Sequence, residues 1–460
     1  MLPLILLVGF LVVGTSGCKL RSVHEPRPTN ALSADSAGFW RQVRTYQLVN
    51  GASCVDLIDS SHFRSRYTLL FQRYRWVDEA SRPAAAELSL RWLLAEPTAP
   101  DQVSLSKEIQ VLGGNLEVWT QAEWVGLHLE VEPAYALKAI DRLLAHLAAP
   151  RWSGNLFFQV RDEMAARRAS LAANRHAIRQ LKLEGMLWPD KLPPSAAFGT
   201  YTELMDVEPE DVKSAFRSLW CGCPKAHVYS APNHPDFDAL YALLERVPHR
   251  FARDCPVPEA MGSDSVWTVM SDTTHLPELW GIAHLQHTFQ HEVDSMKLMM
   301  PGLWAYALEN ELKADLCRKR SLTCQISVEL SETPRGFIAL QLVLPAPNAT
   351  LDRLSSTMTD WSKSDGMTYE RWTDLLDRYR FAWYLARSSP EERHSALADA
   401  AGNETLVQEL ALPNCLHKLK WSDFQTYHGQ IAKQFKWLYV GQAQTLKPEP
   451  VARFRALRSE

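Results

Sequence analysis

The chain has 460 residues, of which 46% are hydrophobic, 22% charged and 10% aromatic. This composition is typical of a globular protein with sizeable buried cores, and it excludes a disordered chain or a small disulfide-stapled scaffold. The 49 Lys and Arg residues against 53 Asp and Glu residues give a net charge of -4, which indicates no polyanion-binding surface. We therefore expect no nucleic-acid partner.

The N-terminus has the pattern of an export signal. An almost unbroken apolar run extends from Leu2 to Val13, and it is shorter than the roughly 20 residues that a membrane-spanning helix needs. Small residues then lead to Cys18, an order that resembles the lipobox of bacterial lipoproteins, in which the cysteine carries the lipid. No Lys or Arg precedes the run, and Thr15 stands where the motif prefers Leu or Val. An ordinary signal peptide with a chance cysteine is the alternative.

The lipobox resemblance implies a location as well as an anchor. It implies a signal peptide over 1–17, then lipidated Cys18 and a polar tether over 18–39. Lys19 after the cysteine resembles the outer-membrane sorting pattern. We therefore expect an outer-membrane lipoprotein of the bacterial envelope that faces the periplasm and touches the membrane through its lipid.

The first half of the mature chain carries signals of mixed α and β structure. Asn50-Gly51 lies between apolar stretches and predicts a hairpin turn, because both residues tolerate a positive φ angle. A strand is expected over 67–76, and an Ala- and Leu-rich helix over 84–94.

A second strand and helix follow in the same half. Leu127, Leu129 and Val131 alternate with polar residues, which predicts a half-buried strand. Pro133 then begins the next helix, whose Leu and Ile residues form one apolar face.

The order of elements is repeated in the second half of the chain. Each half runs through strands, a long helical stretch, a strand pair, further helices and a closing strand. Asp211 opens an amphipathic helix that leads to a strand at 227–229, and Asp423 opens another that leads to a strand at 438–440. We expect domains over 40–232 and 266–445, a proline-rich linker over 233–265 and a C-terminal tail over 446–460.

Seven cysteines follow Cys18, and an exported chain would meet an oxidising compartment in which some of them pair. They are Cys54, Cys221, Cys223, Cys255, Cys317, Cys324 and Cys415. Their irregular spacing matches no zinc ribbon or C-x-x-C motif, and it leaves the pairing open. An odd number implies at least one free thiol.

Several short motifs, none specific alone, occur in a recognisable order. They are Leu48, Asn50-Gly51, Leu112-Gly113-Gly114, Thr120, residues 139–143, Pro150, Phe198-Gly199, Glu203-Leu204, residues 210–212, Phe216 and residues 312–344. This order and spacing resemble the insulinase and pitrilysin-like zinc metallopeptidases, the inverted zincins. The resemblance implies an α+β fold of two similar domains, each a mostly antiparallel sheet with helices packed on one face.

The catalytic motif of that family is missing. The family uses H-x-x-E-H on a helix, in which two imidazoles bind zinc, the glutamate activates water and a distant glutamate completes the site. The resemblance places Leu88 and Trp92 at the histidine positions, Arg91 at the glutamate and Arg168 at the third ligand. No histidine occurs between residues 62 and 128, so this absence does not depend on the alignment. We therefore expect no catalytic residues and no zinc at these positions.

One histidine cluster offers an alternative metal site. His284, His287 and His291 would share a face of a helix, with Glu292 beside them. The favoured interpretation is that 279–289 forms the first strand of the second domain, because the domain pattern requires a strand there. A strand sends His284 and His287 to opposite faces and leaves no three-ligand site.

The helix after Phe158 is locally basic. A solvated helix face is the simpler interpretation of its Arg and Lys residues, and a surface for acidic peptides or a partner is the functional one.

Two functions from different classes remain. The first is a non-catalytic, lipid-anchored envelope protein without a cofactor that binds a partner protein or peptide, for instance as the inactive subunit of an active homologous peptidase. The second is a zinc-dependent hydrolase or peptidase with a relocated site at the His284 cluster. A structural lipoprotein without a peptide ligand is not separated from the first by sequence.

Overall fold

A computed structural model describes most of the chain from Trp40 onward. The described residues are 40–72, 84–97, 103–121, 124–172, 186, 201–223, 225–233, 235–249, 267–271, 276–284, 295–321, 323, 325–331, 337–362, 368–403, 405–406, 409–410, 412, 416–442, 444, 446–448 and 452. The expected signal peptide, Cys18 and the tether lie outside them. Among these residues, no helix is both long enough and apolar enough to span a bilayer.

The first half forms a sheet with helices. Its strands are β1 (Val43–Gln47), β2 (Ser53–Ile58), β3 (Ser65–Gln72), β4 (Asn115–Thr120), β5 (Trp124–Val131) and β6 (Lys225–Ala231). Its helices are α1 (Ala84–Ala95), α2 (Leu105–Val111), α3 (Ala136–Ala148), α4 (Gly154–Ala172), α5 (Tyr201–Met205), α6 (Pro209–Gly222) and α7 (Phe237–Leu244).

The second half has the same kind of elements. Its strands are β7 (Trp267–Met270), β8 (Glu278–His284), β9 (Ile326–Ser331), β10 (Phe337–Val343) and β11 (Lys436–Val440). Its helices are α8 (Ser295–Leu312), α9 (Pro347–Ser362), α10 (Tyr369–Leu385), α11 (Pro390–Gly402) and α12 (Trp421–Ala432), and a π-helix over Lys313–Lys319 continues α8.

The two sheets share one topology. The strand order is β1-β2-β6-β3-β5-β4 in the first and β7-β11-β8-β10-β9 in the second, so the orders match once β1 is set aside. In each sheet the closing strand runs parallel to the opening strand it pairs with, β6 with β2 and β11 with β7, and every other pairing is antiparallel. The expected α+β fold of two similar, mostly antiparallel domains is confirmed.

Local sequence explains several of these elements. Leu48 N–H donates to the Ala52 carbonyl at 2.9 Å and Gly51 has a φ of 92°, so the expected hairpin turn joins β1 to β2. The α1 helix occupies the expected Ala- and Leu-rich segment.

Two expected helix starts and one expected strand position were wrong. The α6 helix begins at Pro209 rather than at Asp211, whose carboxylate accepts the Glu208 backbone N–H at 2.9 Å as a cap. The α12 helix likewise begins at Trp421, before Asp423. The second sheet opens with β7, so the strand containing His284 is its second strand.

The expectation that β5 is half-buried was also wrong. Residues of β3, β5 and β6 alternate between two covered faces. One face packs on helices of the first half, with Leu69, Leu127 and Leu129 in its core. The other face is covered by the second half, where α11 packs on β6, β3 and β2. A single hydrophobic cluster therefore contains Leu70 of the first sheet and Leu397 of α11.

Polar groups on the covered face are paired across this interface. His394 of α11 is fully buried, with Nε2 lying 2.8 Å from Thr68 Oγ1 and Nδ1 lying 2.5 Å from Ser230 Oγ. His128 Nδ1 lies 2.9 Å from the same Thr68 hydroxyl. Arg393 of α11 pairs with Asp59 at 2.9 Å. This polar network fixes the register of α11, because a shifted helix would leave buried polar groups without partners.

Gly402 provides a test of this interface. A Cβ atom there would lie 2.4 Å from Cδ1 and 2.6 Å from Nε1 of the buried Trp124 indole. We expect Gly402→Ala to lower the free energy of unfolding by about 1–3 kcal/mol through overpacking, measured by chemical denaturation. Gly429→Ala in α12 is the control, because its Cβ would meet nothing within 4 Å and should raise stability by up to about 1 kcal/mol. Equal midpoints for Gly402→Ala and the wild type would contradict the packing.

The buried histidines make stability depend on pH. Burial lowers the pKa of His62 to about 4, helped by the Arg66 charge, whereas an unfolded histidine titrates near 6.5. Between these values the unfolded state binds more protons, so the free energy of unfolding falls as the pH falls, by up to about 1.4 kcal/mol per pH unit for this group.

We expect His62→Gln to reduce the slope of unfolding free energy against pH between pH 6.5 and 4.5. Asp56 and Asp399, whose pKa values burial raises to about 6, act in the opposite sense. Their effect cancels in the comparison of variant with wild type. Parallel slopes for the two proteins would show that His62 ionises normally in the fold.

Candidate functional site

A pocket of about 550 Å³ lies where α1, α4 and the end of β4 meet α11. We call it the β4 pocket. Its lining residues are Glu87, Arg91, Val118, Trp119, Thr120, Gln121, Trp124, Arg168, Ser395 and Asp399. Arg91 and Arg168 are two of the four residues that the family resemblance assigns to the zinc-site positions, and both line this pocket.

The other two positions are filled by core packing. Leu88 and Trp92 are buried on the face of α1 that contacts α4. The Trp92 ring lies 4.7 Å from that of Trp152 and 5.0 Å from that of Phe157, measured between centroids. Its indole N–H donates to Glu96 at 2.6 Å. These side chains offer no metal-ligand atom, and apolar contacts hold this part of α1.

A charged cluster lies beside this packing, in the pocket. Glu87 is only 3% exposed. Its Oε1 accepts from Arg91 Nε at 2.7 Å, and its Oε2 accepts from Arg168 Nη2 at 2.7 Å. One carboxylate thus bridges two guanidinium groups that come from different helices. The arrangement neutralises one of two positive charges and orients both arginines.

The edge of the first sheet borders the pocket. Among the described residues, β5 is the one neighbour of β4. Gln121 N–H donates to the Trp124 carbonyl at 2.9 Å, so these two residues form a hydrogen-bonded pair of the ladder between β4 and β5. Because bonded pairs alternate in an antiparallel ladder, Leu116, Val118 and Thr120 direct their backbone N–H groups toward the open edge. This edge has the geometry for adding an extended strand.

The second half contributes the remaining wall. Ser395 and Asp399 lie one turn apart on α11 and also line an adjoining pocket of about 300 Å³. Burial and the nearby Glu409 charge raise the pKa of Asp399 to about 6. Glu409 is itself held by Arg387, with Arg387 Nη2 donating to its Oε2 at 2.6 Å. The two pockets thus form a polar cleft along α11.

The structure brings Arg91 and Arg168 together on the Glu87 carboxylate. Of the alternative histidine site, only His284 is among the described residues. His284 is the last residue of β8, in line with the expected strand, and residues 287 and 291 lie outside the described residues. Within the part of the chain described, no group of three or more His, Cys, Asp or Glu residues could hold a metal ion.

The cysteines divide into two groups. Cys54, Cys221 and Cys223 are free thiols, and Cys317 in the π-helix is disulfide-bonded. Cys255, Cys324 and Cys415 lie outside the described residues.

Sequence reasoning missed Glu87, Ser395 and Asp399. Glu87 precedes Arg91 by four residues, a spacing that favours an ion pair on one helix face and was a readable signal. Arg168 joins this pair across 81 positions, and α11 reaches the pocket from the other half. No local sequence pattern predicts the contact of Arg168 with Glu87 or the approach of α11 to the pocket.

Comparison with known proteins supports the fold. No protein-family model matches the sequence, and comparison with curated proteins gives no significant match. Among solved structures, the inactive domain of a peptidase M16 from Pseudomonas fluorescens superposes with a TM-score of 0.72 at 13% identity over 88% of this chain and 100% of that one. A protease from Helicobacter pylori gives 0.71 at 12% identity over 87% and 99%.

Comparison with a longer chain of the same fold shows that this chain matches about half of that protein. Pitrilysin gives a TM-score of 0.68 at 14% identity, with 96% of this chain but 50% of pitrilysin covered. The chain therefore has the fold of the M16, or insulinase and pitrilysin-type, peptidases. The sequence contains no H-x-x-E-H motif, so this is a degenerate form of that fold.

Glu87 is the residue on which the pocket's charge balance depends. We expect Glu87→Gln to lower the free energy of unfolding by about 2 kcal/mol or more, because it removes the buried charge to which two partly buried guanidinium groups donate. Glu163→Gln on α4 is the control, since this exposed carboxylate accepts only from Gln159, at 3.0 Å, within the described part of the chain, and its loss should change stability by less than about 0.5 kcal/mol. Similar denaturation midpoints for the two variants would refute the bridging role.

Proposed function

We propose that this chain is a non-catalytic peptidase-like protein that binds an extended segment of a partner protein along β4. The observation that carries the proposal is the content of the site: Leu88 and Trp92 packed in the core, and Arg91 and Arg168 held by Glu87. The groups that would activate water are replaced by apolar and cationic ones, while the neighbouring sheet edge is kept.

The chemistry of these side chains disfavours hydrolysis. A zinc site needs deprotonated nitrogen, sulfur or oxygen donors, and leucine and tryptophan side chains supply none. A guanidinium stays protonated in proteins and repels a divalent cation. The site would therefore neither hold the ion nor provide a general base at these four positions.

The same architecture favours binding. A strand added to β4 would pair with the outward N–H groups of Leu116, Val118 and Thr120 and would run past the β4 pocket. Backbone pairing of this kind requires no catalytic residue. Side chains of the added strand would reach the pocket, where Trp119 and the charged cluster provide selectivity.

We propose an active homologous peptidase subunit as the partner. The proposal rests on the resemblance stated for the sequence, whose family includes inactive partners of active subunits. One similar solved structure is itself described as an inactive M16 domain.

We further propose that the protein is anchored at the bacterial outer membrane through Cys18 and faces the periplasm. The lipobox-like sequence is the basis of the proposal. The disulfide at Cys317 is consistent with an oxidising compartment.

Zinc content separates the two functions considered. After dialysis of the purified chain against a weak chelator, we expect elemental mass spectrometry to find less than about a tenth of an equivalent of zinc, since a three- or four-ligand site survives such treatment. Near one equivalent would overturn the proposal. In that case His284, His287 and His291 would be the first residues to replace, because the alternative hydrolase site uses them.

The β4 edge is tested with a proline. We expect Val118→Pro to reduce retention of random N-acetylated, C-amidated decapeptides about tenfold, because proline removes an outward backbone donor that pairs with the added strand. Val118→Ala is the control, since it shortens the side chain but keeps the N–H. Retention is measured by affinity selection with mass spectrometry, and circular dichroism verifies the folded state. Equal retention by both variants, or no retention by the wild type, would refute strand addition at β4.

A further inference from the structure

Three buried histidines lie where α11 of the second half meets the first sheet. His394 is on α11, His128 is on β5, and His62 is in the turn between β2 and β3. The elements on which α11 packs most extensively are β6, β3 and β2, all of the first sheet. A change in the charge of these histidines therefore acts directly on the contact that holds α11 in place.

The hydrogen bonds of His394 and His128 suit neutral rings. Thr68 Oγ1 lies between them, 2.8 Å from His394 Nε2 and 2.9 Å from His128 Nδ1. The Thr68 hydroxyl has one proton, so it donates to one ring and accepts from the other, and neutral imidazoles satisfy both contacts. If both rings were protonated, the hydroxyl would face two donors and its own proton would have no acceptor in this network.

His62 is also held in its neutral form. Its Nδ1 lies 3.1 Å from Arg66 Nη1, and Arg66 is only 5% exposed. Since a guanidinium can only donate, His62 Nδ1 accepts this bond and carries no proton. Protonation of His62 would break the bond and place two cations side by side in a buried site.

Charges of both signs face this histidine cluster. The cations are Arg66 on β3 and Arg393 on α11. The carboxylates each pair with one of these arginines: Asp59 with Arg393, and Glu130 and Glu391 with Arg66.

Burial is nevertheless the main influence on the histidines. Together with the Arg66 charge, it lowers the pKa of His62 to about 4 and that of His128 to about 3. It also lowers the pKa of His394 well below the usual value, helped by the His128 and Arg66 charges.

Undocking of α11 would give these rings access to water and return each pKa to about 6.5. Below that pH the undocked form binds more protons than the docked form, so docking weakens as the pH falls. Each histidine then contributes up to about tenfold per pH unit to the ratio of undocked to docked protein. Asp399, whose pKa burial and the Glu409 charge raise to about 6, acts in the opposite sense. Three histidines against one carboxylate leave a net shift toward undocking.

We infer that protonation of His62, His128 and His394 under mildly acidic conditions undocks α11 and withdraws its wall from the β4 pocket. Ser395 and Asp399 lie on α11 and line that pocket, so they leave with the helix. The inference adds a regulation to the β4 pocket, and its consequence for ligand binding rests on the proposed function. The undocking itself requires no ligand.

Hydrogen–deuterium exchange read by mass spectrometry tests the undocking in the purified chain. After correction for the intrinsic pH dependence of exchange, it gives an opening constant for α11 and one for α6, a helix without histidine in the first half. We expect the α11 constant to rise about 100-fold or more between pH 7 and pH 5 and to exceed that of α6 at pH 5. A rise of less than about threefold would overturn the inference. Equal constants for α11 and α6 would also overturn it, because α11 would then open only with the whole protein.

Variants assign the effect to the histidines. We expect the rise to be about tenfold smaller in His394→Gln and in His128→Gln, each compared with itself at pH 7, so that a general loss of stability cancels. His128→Gln also serves as the second variant if His394→Gln does not fold. His146→Gln is the matched control, because His146 is buried in α3 on the other face of the first sheet, 2.9 Å from the Leu93 carbonyl. It should show the rise of the wild type. A full rise in both His394→Gln and His128→Gln would overturn the inference.

A peptide arm separates the regulation from the proposed function. The probe is a pool of N-acetylated, C-amidated decapeptides without ionisable residues, added at pH 5. We expect it to lower the α11 opening constant about threefold or more, because a segment that uses the α11 wall binds the docked form better. If the wild type retains the pool but its α11 constant does not change, the link to the β4 pocket is overturned. If the wild type retains no pool, the proposed function fails, while the constants measured without peptide still decide whether acid undocks α11.

Discussion

The docking of α11 from the second half onto the first sheet is the constraint on which the rest of the structure depends. It buries a sheet face that carries polar residues, and it satisfies them with His394 and Arg393 across the interface. The same contact joins apolar residues of both halves into one hydrophobic cluster. Because Ser395 and Asp399 lie on the same helix, this docking also completes the β4 pocket. The docking of α11 therefore both stabilises the interface and forms one wall of the β4 pocket.

Around this interface, the chain has the fold of a peptidase, and contacts among its own side chains hold the α1 helix. In a zinc enzyme, inward imidazoles and carboxylates are satisfied by the metal. Here the equivalent helix is fixed by Leu88 and Trp92 in the core, and by the bridge from Glu87 to two arginines. Packing and ion pairing thus supply the restraint on this helix.

The proposed function uses one surface in two ways. In it, the edge of β4 would provide affinity that does not depend on sequence, through backbone groups that face outward. The charged cluster at the end of that edge would provide selectivity for the side chains of the added segment. Such a division suits a subunit that recognises a segment without cutting it, since each part acts on the ground state of the ligand and no transition state is involved.

The sequence by itself determined the order of elements, the hairpin at Asn50-Gly51, the α1 helix and the absence of H-x-x-E-H. These depend on turn chemistry, composition and short spacings, which act between near neighbours in the chain. Tertiary structure alone decided that β5 is covered on both faces, that Arg168 meets Glu87 across 81 positions, and that Asp399 closes the pocket. Those contacts join residues far apart in the chain, and they form because buried polar and charged groups must find partners when the two halves pack together.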